Sequence, residues 1–294
     1  MKNVKDMKNQ DFGIEIETFG ISRKRVASMI AKFFGTEVQY AGTYYDIYEI
    51  KDAQNRTWKV MYDGSLPNNT LRERGGAEIV SPILYYRDIE TVQKLVTLLK
   101  SKGVQVNEKC GIHIHVGAHH LNVQQLKNLA NVMYSKEDII YKALQVSENR
   151  EQHYCKKTDE VFIDKLNTEK PADMQSLKNL WYGTLAPFEN SNNHYNKSRY
   201  HSLNYHATFT KGTVEFRLFN GSLDADEIKA YIQFVLALVT YAENAKKTTA
   251  KKTITDNEKY AMRTWMIKLN LNGDEFETCR KVFLKNLQGN SAWR

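Results

Sequence analysis

Three short stretches of this 294-residue chain alternate an apolar residue with an ionisable one at strict period two. They are Gly13-Ile14-Glu15-Ile16-Glu17, Gly111-Ile112-His113-Ile114-His115-Val116-Gly117 and Gly212-Thr213-Val214-Glu215-Phe216-Arg217-Leu218. Successive side chains of a strand point to opposite faces, so each stretch reads as a strand with one apolar face and one loaded face. An ordinary half-buried strand carries solvated Thr, Lys or Ser on its open side. Carboxylates, a His pair and a Glu/Arg pair in that position point instead to a shared polar cleft.

The length suits one large domain or two modest ones, and 41% hydrophobic residues are ample for a core. Residues 1–11 are polar and charged, unlike a signal peptide, and no apolar run approaches the ~20 residues of a membrane span. Cys110, Cys155 and Cys279 are odd in number and contain no CxxC pair, which argues against a disulfide framework and a thiolate zinc site. A soluble, cytoplasmic protein is expected. The net charge is +8, and residues 246–294 hold eleven Lys/Arg against five Asp/Glu. Lys246, Lys247, Lys251 and Lys252 read as the end of a helix and a solvated linker, where cations are favoured. No recognised nucleic-acid module accompanies them, so a nucleic-acid partner is not expected.

A first strand is expected at 11–19, and an amphipathic helix at 23–34 closed by Gly35. A meander follows at 38–61 with a turn at 52–56. Residues 66–76, with Pro67, Asn68, Asn69, Arg72, Arg74 and two glycines, read as an exposed, mobile loop. Helices are expected at 86–101 and, capped by Asn122, from there through about 146. Residues 148–171 read as irregular and lysine-rich, before a short helix ending near Trp181. The segments 199–209 and 213–220 read as neighbouring strands joined by a hairpin loop, Thr210-Lys211-Gly212. Asp224 opens an apolar helix over 228–241, and two short helices lie around 260–269 and 274–287. Hairpins among long helices give an α+β fold with a mainly antiparallel sheet.

Glu15 and Glu17 share a strand face about 6.6 Å apart, a spacing suited to carboxylates flanking two ions. Glu78 is a further candidate. His113 and His115 also share a face, compatible with metal binding, whereas His119 and His120 read as loop residues. Glu215 and Arg217 are either a surface ion pair of little energetic value or a metal ligand beside a phosphate clamp. Four carboxylates in one cleft would each cost several kcal/mol unless compensated, which favours divalent cations.

The set GIEIE, DGS followed by EIVSP, GIHIHVG, RYxxLN and TVEFRLFNGSLD, in that order, resembles the amidoligase family of the carboxylate-amine ligase superfamily, which includes glutamate-cysteine ligase and glutamine synthetase. The resemblance runs from about Phe12 to Tyr241. It implies a curved antiparallel sheet around a Mg-ATP site, flanked by helices, in a glutamine synthetase/glutamate-cysteine ligase-like catalytic fold. It implies Glu15, Glu17, Glu78, His113 or His115, and Glu215 as Mg²⁺ ligands, with Arg217 facing the transferring phosphate. Arg199 and Asn204 match RYxxLN and would lie near nucleotide or phosphate. Asp63, Ser65, Arg72 and Arg74 are the candidate substrate-binding residues. Residues 1–245 form the expected catalytic domain, and 246–294 a basic helical extension packed on it.

The activity expected is ATP-dependent ligation of a carboxylate to an amine through an acyl phosphate, with ADP formed. Arg217 and Glu215 are the expected catalytic residues. The substrates are an acid and an amine, whether small molecule, peptide or cell-wall fragment. A metal-dependent amidase or hydrolase built on the His pair, and a non-enzymatic basic nucleic-acid-binding accessory protein, are the alternatives.

Overall fold

The computed structural model describes residues 6–64, 66 and 75–292. Most of the expected loop 66–76, with Ser65, Arg72 and Arg74, lies outside the described residues.

The first half of the chain builds most of the sheet. Strand β1 (Asp11–Thr18) runs into α1 (Arg23–Phe34), which Gly35 ends in the left-handed conformation at φ 69°. That conformation suits a residue without Cβ. The meander is β2 (Val38–Tyr40), β3 (Tyr48–Lys51) and β4 (Thr57–Met61), followed by β5 (Ala77–Val80) and a two-residue β6 (Leu84–Tyr85). Helix α2 (Ile89–Ser101) leads to β7 (Gly111–Gly117) and the long α3 (Val123–Leu144). Asn122 caps α3 by accepting from the Gln125 amide, while Gln125 reciprocates at the Asn122 amide.

The second half departs from the sequence expectation in two places. Residues 148–171 are not irregular, for they contain α4 (Glu148–His153) and α5 (Glu160–Thr168). Ser147 and Asp159 cap their first turns, accepting from the Arg150 and Phe162 amides. Helix α6 (Met174–Leu185) follows. The strand expected at 199–209 shrinks to β8 (Leu203–Asn204), after which the chain turns into α7 (His206–Lys211). Asn204 starts that helix by accepting from the His206 amide at 2.8 Å. Gly212, expected in a hairpin loop, instead ends α7 at φ 72° and hands the chain to β9 (Thr213–Asn220). Helix α8 (Ala225–Asn244), opened by the Asp224 cap, and then α9 (Glu258–Lys268) and α10 (Glu277–Leu284) complete the fold.

Among the described residues the named strands pair antiparallel, in the order β2-β3-β4-β5-β1-β7-β9-β8, with β6 beside β1. The architecture is α+β, helices packed on an antiparallel sheet. Phe12, Ile14 and Ile16 of β1, Ile112, Ile114 and Val116 of β7, and Val214, Phe216 and Leu218 of β9 turn one face into the core. Helix α8 packs against this layer and against α2, α3 and α10. Its all-round burial explains its hydrophobicity. Met262, Trp265 and Phe283 join the same core from α9 and α10. On the opposite face, α4 and α7 pack against β9, so the polar side of the central strands is roofed by the segment between β7 and β9. Every residue of β7 is consequently buried, including both histidines. Among the described residues no helix is long and apolar enough to cross a membrane.

Candidate active site

Strand register brings the predicted ligands together. Glu17 of β1 lies directly opposite Glu78 of β5, and Glu15 opposite His113 of β7. His115 lies opposite Glu215 of β9, which in turn faces Asn204 of β8. Five strands therefore project their loaded faces into one row, and that is what the period-two alternation achieves.

His113 Nδ1 lies 3.1 Å from Glu15 Oε2, and its Nε2 lies 3.7 Å from Glu17 Oε1. His115 Nε2 is 3.1 Å from Glu15 Oε1 and 3.8 Å from Glu215 Oε1. Its Nδ1 contacts the Thr213 hydroxyl at 3.1 Å. Glu17 is fixed from the backbone, its Oε2 accepting from the Gly111 amide at 2.6 Å. Glu215 accepts from Asn204 Nδ2 at 2.6 Å and from Arg217 Nη1. Arg217 also donates from Nε to the Tyr154 carbonyl at 3.4 Å. Asn204 thus spends both side-chain atoms inside the protein, on Glu215 and on the start of α7.

The carboxylates divide electrostatically. Burial raises Glu78, and the charges of Glu15, Asp63 and Glu17 add to it, so its carboxyl stands well above the ordinary range despite Lys211. Like charges placed opposite each other across an antiparallel pair repel, and Glu17 and Glu78 are such a pair. Burial also works to raise Glu15, but the His115 charge, hydrogen bonds from both histidines and Lys211 outweigh it and hold the group well below that range. For Glu215 the burial effect is overcome chiefly by Arg217 and then His115, and its carboxyl is depressed. Burial opposes the charge on Arg217, yet Glu215, Glu15 and Glu17 keep the guanidinium firmly protonated.

Among the described residues, three donor groups could each hold a cation: Glu15, His115 and Glu215; Glu15, Glu78 and His113; and Glu17, Asp63 and Glu78. Within each, the donor atoms lie within 4.8 Å of one another. A divalent ion fits this chemistry on two counts. The carboxylate-rich donor set suits a hard cation of the Mg²⁺ or Mn²⁺ kind. His115 Nε2 is buried 3.1 Å from Glu15 Oε1, and in the tautomer that donates Nδ1–H to Thr213 it would present a lone pair to a cation beside that carboxylate.

Beside the cluster lies a cavity of about 320 Å³. Its lining combines Glu17, Asp63, Glu78 and His113 with Lys109, Arg150, Arg199, Arg217, Tyr154, Tyr195 and Tyr200. Arg199 donates to the His194 carbonyl at 3.1 Å and sits 5.8 Å from the ring centres of both Tyr195 and Tyr200. A larger groove of about 1300 Å³ runs between α3, α5 and α9, but none of the three donor groups lines it. Asp63, expected to bind substrate, joins Glu17 and Glu78 in a donor group. His119 and His120 lie outside the cluster, exposed.

Sequence reasoning passed over several residues of the site. Lys211, assigned to a hairpin loop, reaches within 3.8 Å of Glu15 Oε1 from the end of α7. Thr213 orients His115, and its place at the head of the β9 alternation was the available signal. Lys109, Arg150 and Tyr154 come from segments without any pattern, and only the three-dimensional fold brings them in.

No curated protein matches the chain. Among solved structures, a bifunctional glutathione synthetase from Pasteurella multocida aligns at 12% identity and a TM-score of 0.37, over 95% of this chain and 47% of that one. The chain thus spans about half the length of that structure. The family model described as "Putative amidoligase enzyme" matches residues 8–239, which includes every strand and the whole donor cluster. On that match, the chain belongs to the amidoligase family.

Proposed function

We propose that this ligase-family protein is an ATP-dependent carboxylate-amine ligase with a glutamine synthetase/glutamate-cysteine ligase-like catalytic fold. In the reaction, a carboxylate oxygen of the acid attacks the γ-phosphorus of ATP and ADP departs. The amine nitrogen then attacks the acyl phosphate, and an amide and inorganic phosphate are released. The observation that carries this reading is one cavity lined both by carboxylates and an imidazole and by three arginines and a lysine.

Glu15, Glu17, Glu78, Glu215, His113 and His115 would hold Mg²⁺, which when bound offsets the carboxylate charge and neutralises phosphate oxygens. Thr213 and the Gly111 amide hold His115 and Glu17 in place, so these ligands need little reorganisation. Arg217, fixed by Glu215 and the Tyr154 carbonyl, offers positive charge at the cavity wall where the phosphoryl group would transfer. Arg199 would bind nucleotide or phosphate from its tyrosine flanks. Asp63, together with Ser65, Arg72 and Arg74 outside the described residues, would meet the substrates. Residues 1–245 would be the catalytic domain and 246–294 the extension packed upon it, in a cytoplasmic enzyme.

Calorimetric titration with a non-hydrolysable ATP analogue tests the nucleotide and metal assignments together. Binding that requires Mg²⁺ and disappears in Glu15→Gln is the expected result. Binding that ignores Mg²⁺, or no binding at all, would count against the reading.

A further inference from the structure

No sequence pattern singles out Arg150, and the roles above leave it unused. It sits on α4, only 1% exposed, yet lines the cavity. Its Nη2 donates to the Arg217 carbonyl at 2.9 Å, while Nε has no hydrogen-bond partner. The other arginines held in ion pairs, Arg23, Arg56 and Arg217, each face a carboxylate. Arg150 is more deeply buried than any of them and, among the described residues, has no such partner. The group also depends on glycine at 111: a Cβ there would fall 2.3 Å from both terminal nitrogens, at the residue whose amide fixes Glu17.

A guanidinium carries five N–H donors, and burying its charge without a partner costs several kcal/mol. A single bond to a carbonyl does not offset that. An oxyanion does, because two of its oxygens match the planar fork, and Lys109 and Arg199, which line the same cavity, add attraction. Arg217 is less available for this purpose, since Glu215 already occupies it.

We propose that Arg150 is an oxyanion-binding residue of this cavity, receiving a carboxylate or phosphate group carried in by substrate. The assignment rests on the ligase reading, in which both a carboxylic acid and a polyphosphate enter here.

Thermal unfolding in chelator, without nucleotide, tests it. Inorganic phosphate and glutarate are titrated separately into wild type, Arg150→Met and Arg150→Lys. Wild type is expected to gain Tm with at least one anion. A gain with phosphate alone assigns Arg150 to the nucleotide side, and a gain with glutarate alone to the acid. Arg150→Met is expected to melt at or above wild type in anion-free buffer, having lost a buried unpaired charge. Its half-saturating anion concentration should rise at least about tenfold, the loss of one charge-assisted hydrogen bond. Arg150→Lys, which keeps charge but not the fork, should fall between the two and carries the test if the methionine variant does not fold. A wild type indifferent to both anions, or variants with an undiminished response, would overturn the proposal. No turnover is read, so such a failure leaves the ligase reading standing, and absent ATP-dependent products would sink that reading alone.

Discussion

At the scale of single residues, the site is governed by charges that the fold forces together. Glu78 is the clearest case. Its raised carboxyl means that the folded protein holds this proton more tightly than the unfolded chain does. The group therefore favours folding below the ordinary carboxylate range, and that contribution is lost as pH rises through the raised value. Glu78→Gln should remove the penalty: in chelator at neutral pH the variant should melt no lower than wild type, and it should lose most of the Tm gain that Mg²⁺ gives wild type. A variant that melts lower, or that responds fully to Mg²⁺, would contradict this placement of Glu78. Arg217 makes the opposite point, because its geometry matters as well as its charge. Its nitrogens serve Glu215 and the Tyr154 carbonyl from one rigid plane. Arg217→Lys should therefore be nearly as damaging as Arg217→Ala, each lowering kcat/KM roughly 10–100-fold, the worth of one charge-assisted hydrogen bond. Steady-state kinetics of the two variants compares them directly, and near-wild-type rates for lysine would show that the fork is not used.

At the scale of elements, β7 is the pivot, pairing with β1 on one side and β9 on the other. Gly111 opens it, carrying Glu17 on its amide and Arg150 over its α-carbon. Gly111→Ala should displace the guanidinium and lower turnover while the protein remains folded. As a control on the same core, Asn122→Ala should cost about 1 kcal/mol of stability through the lost α3 cap and leave kcat unchanged. Urea unfolding and kinetics on both variants separate a structural from a functional position. The central strands were legible in sequence because each hides one face and loads the other, a pattern that survives any local context. Helix α7 was not. His206-Ala207-Thr208-Phe209 is β-prone locally, and only its tertiary setting, with the Asn204 side chain accepting from the His206 amide, makes it helical. Helix α4 was hidden by its polar composition, whereas α5 was passed over despite its apolar Phe162, Ile163 and Leu166, and Ser147 and Asp159 stood at the two N-caps. The acidic half of the site shared the legibility of its strands. The basic lining was legible only in part: Arg217 stands in a strand alternation and Arg199 in the RYxxLN match, whereas Lys109 and Arg150 are supplied by segments that the strand pattern does not touch.

At the scale of the whole molecule, the sheet and the C-terminal helices share one core. Phe234 of α8 stacks on Phe283 at 4.3 Å and meets Trp265 edge-on at 5.7 Å. Removing 246–294 would uncover this apolar face on the helix that backs the sheet. Residues 1–245 expressed alone should be insoluble or lack a cooperative melt; a soluble fragment that keeps Mg²⁺-dependent stabilisation would show that the extension is dispensable. The central claim, however, concerns what the cavity beside the donor cluster does with a carboxylate. Its most direct test supplies ATP, Mg²⁺, hydroxylamine and a panel of candidate acids, and follows products by ³¹P spectroscopy and hydroxamate colour. Hydroxamate appearing in step with ADP and inorganic phosphate, and lost in Glu215→Gln, is the predicted result. AMP with pyrophosphate, or amide hydrolysis independent of ATP, would contradict it.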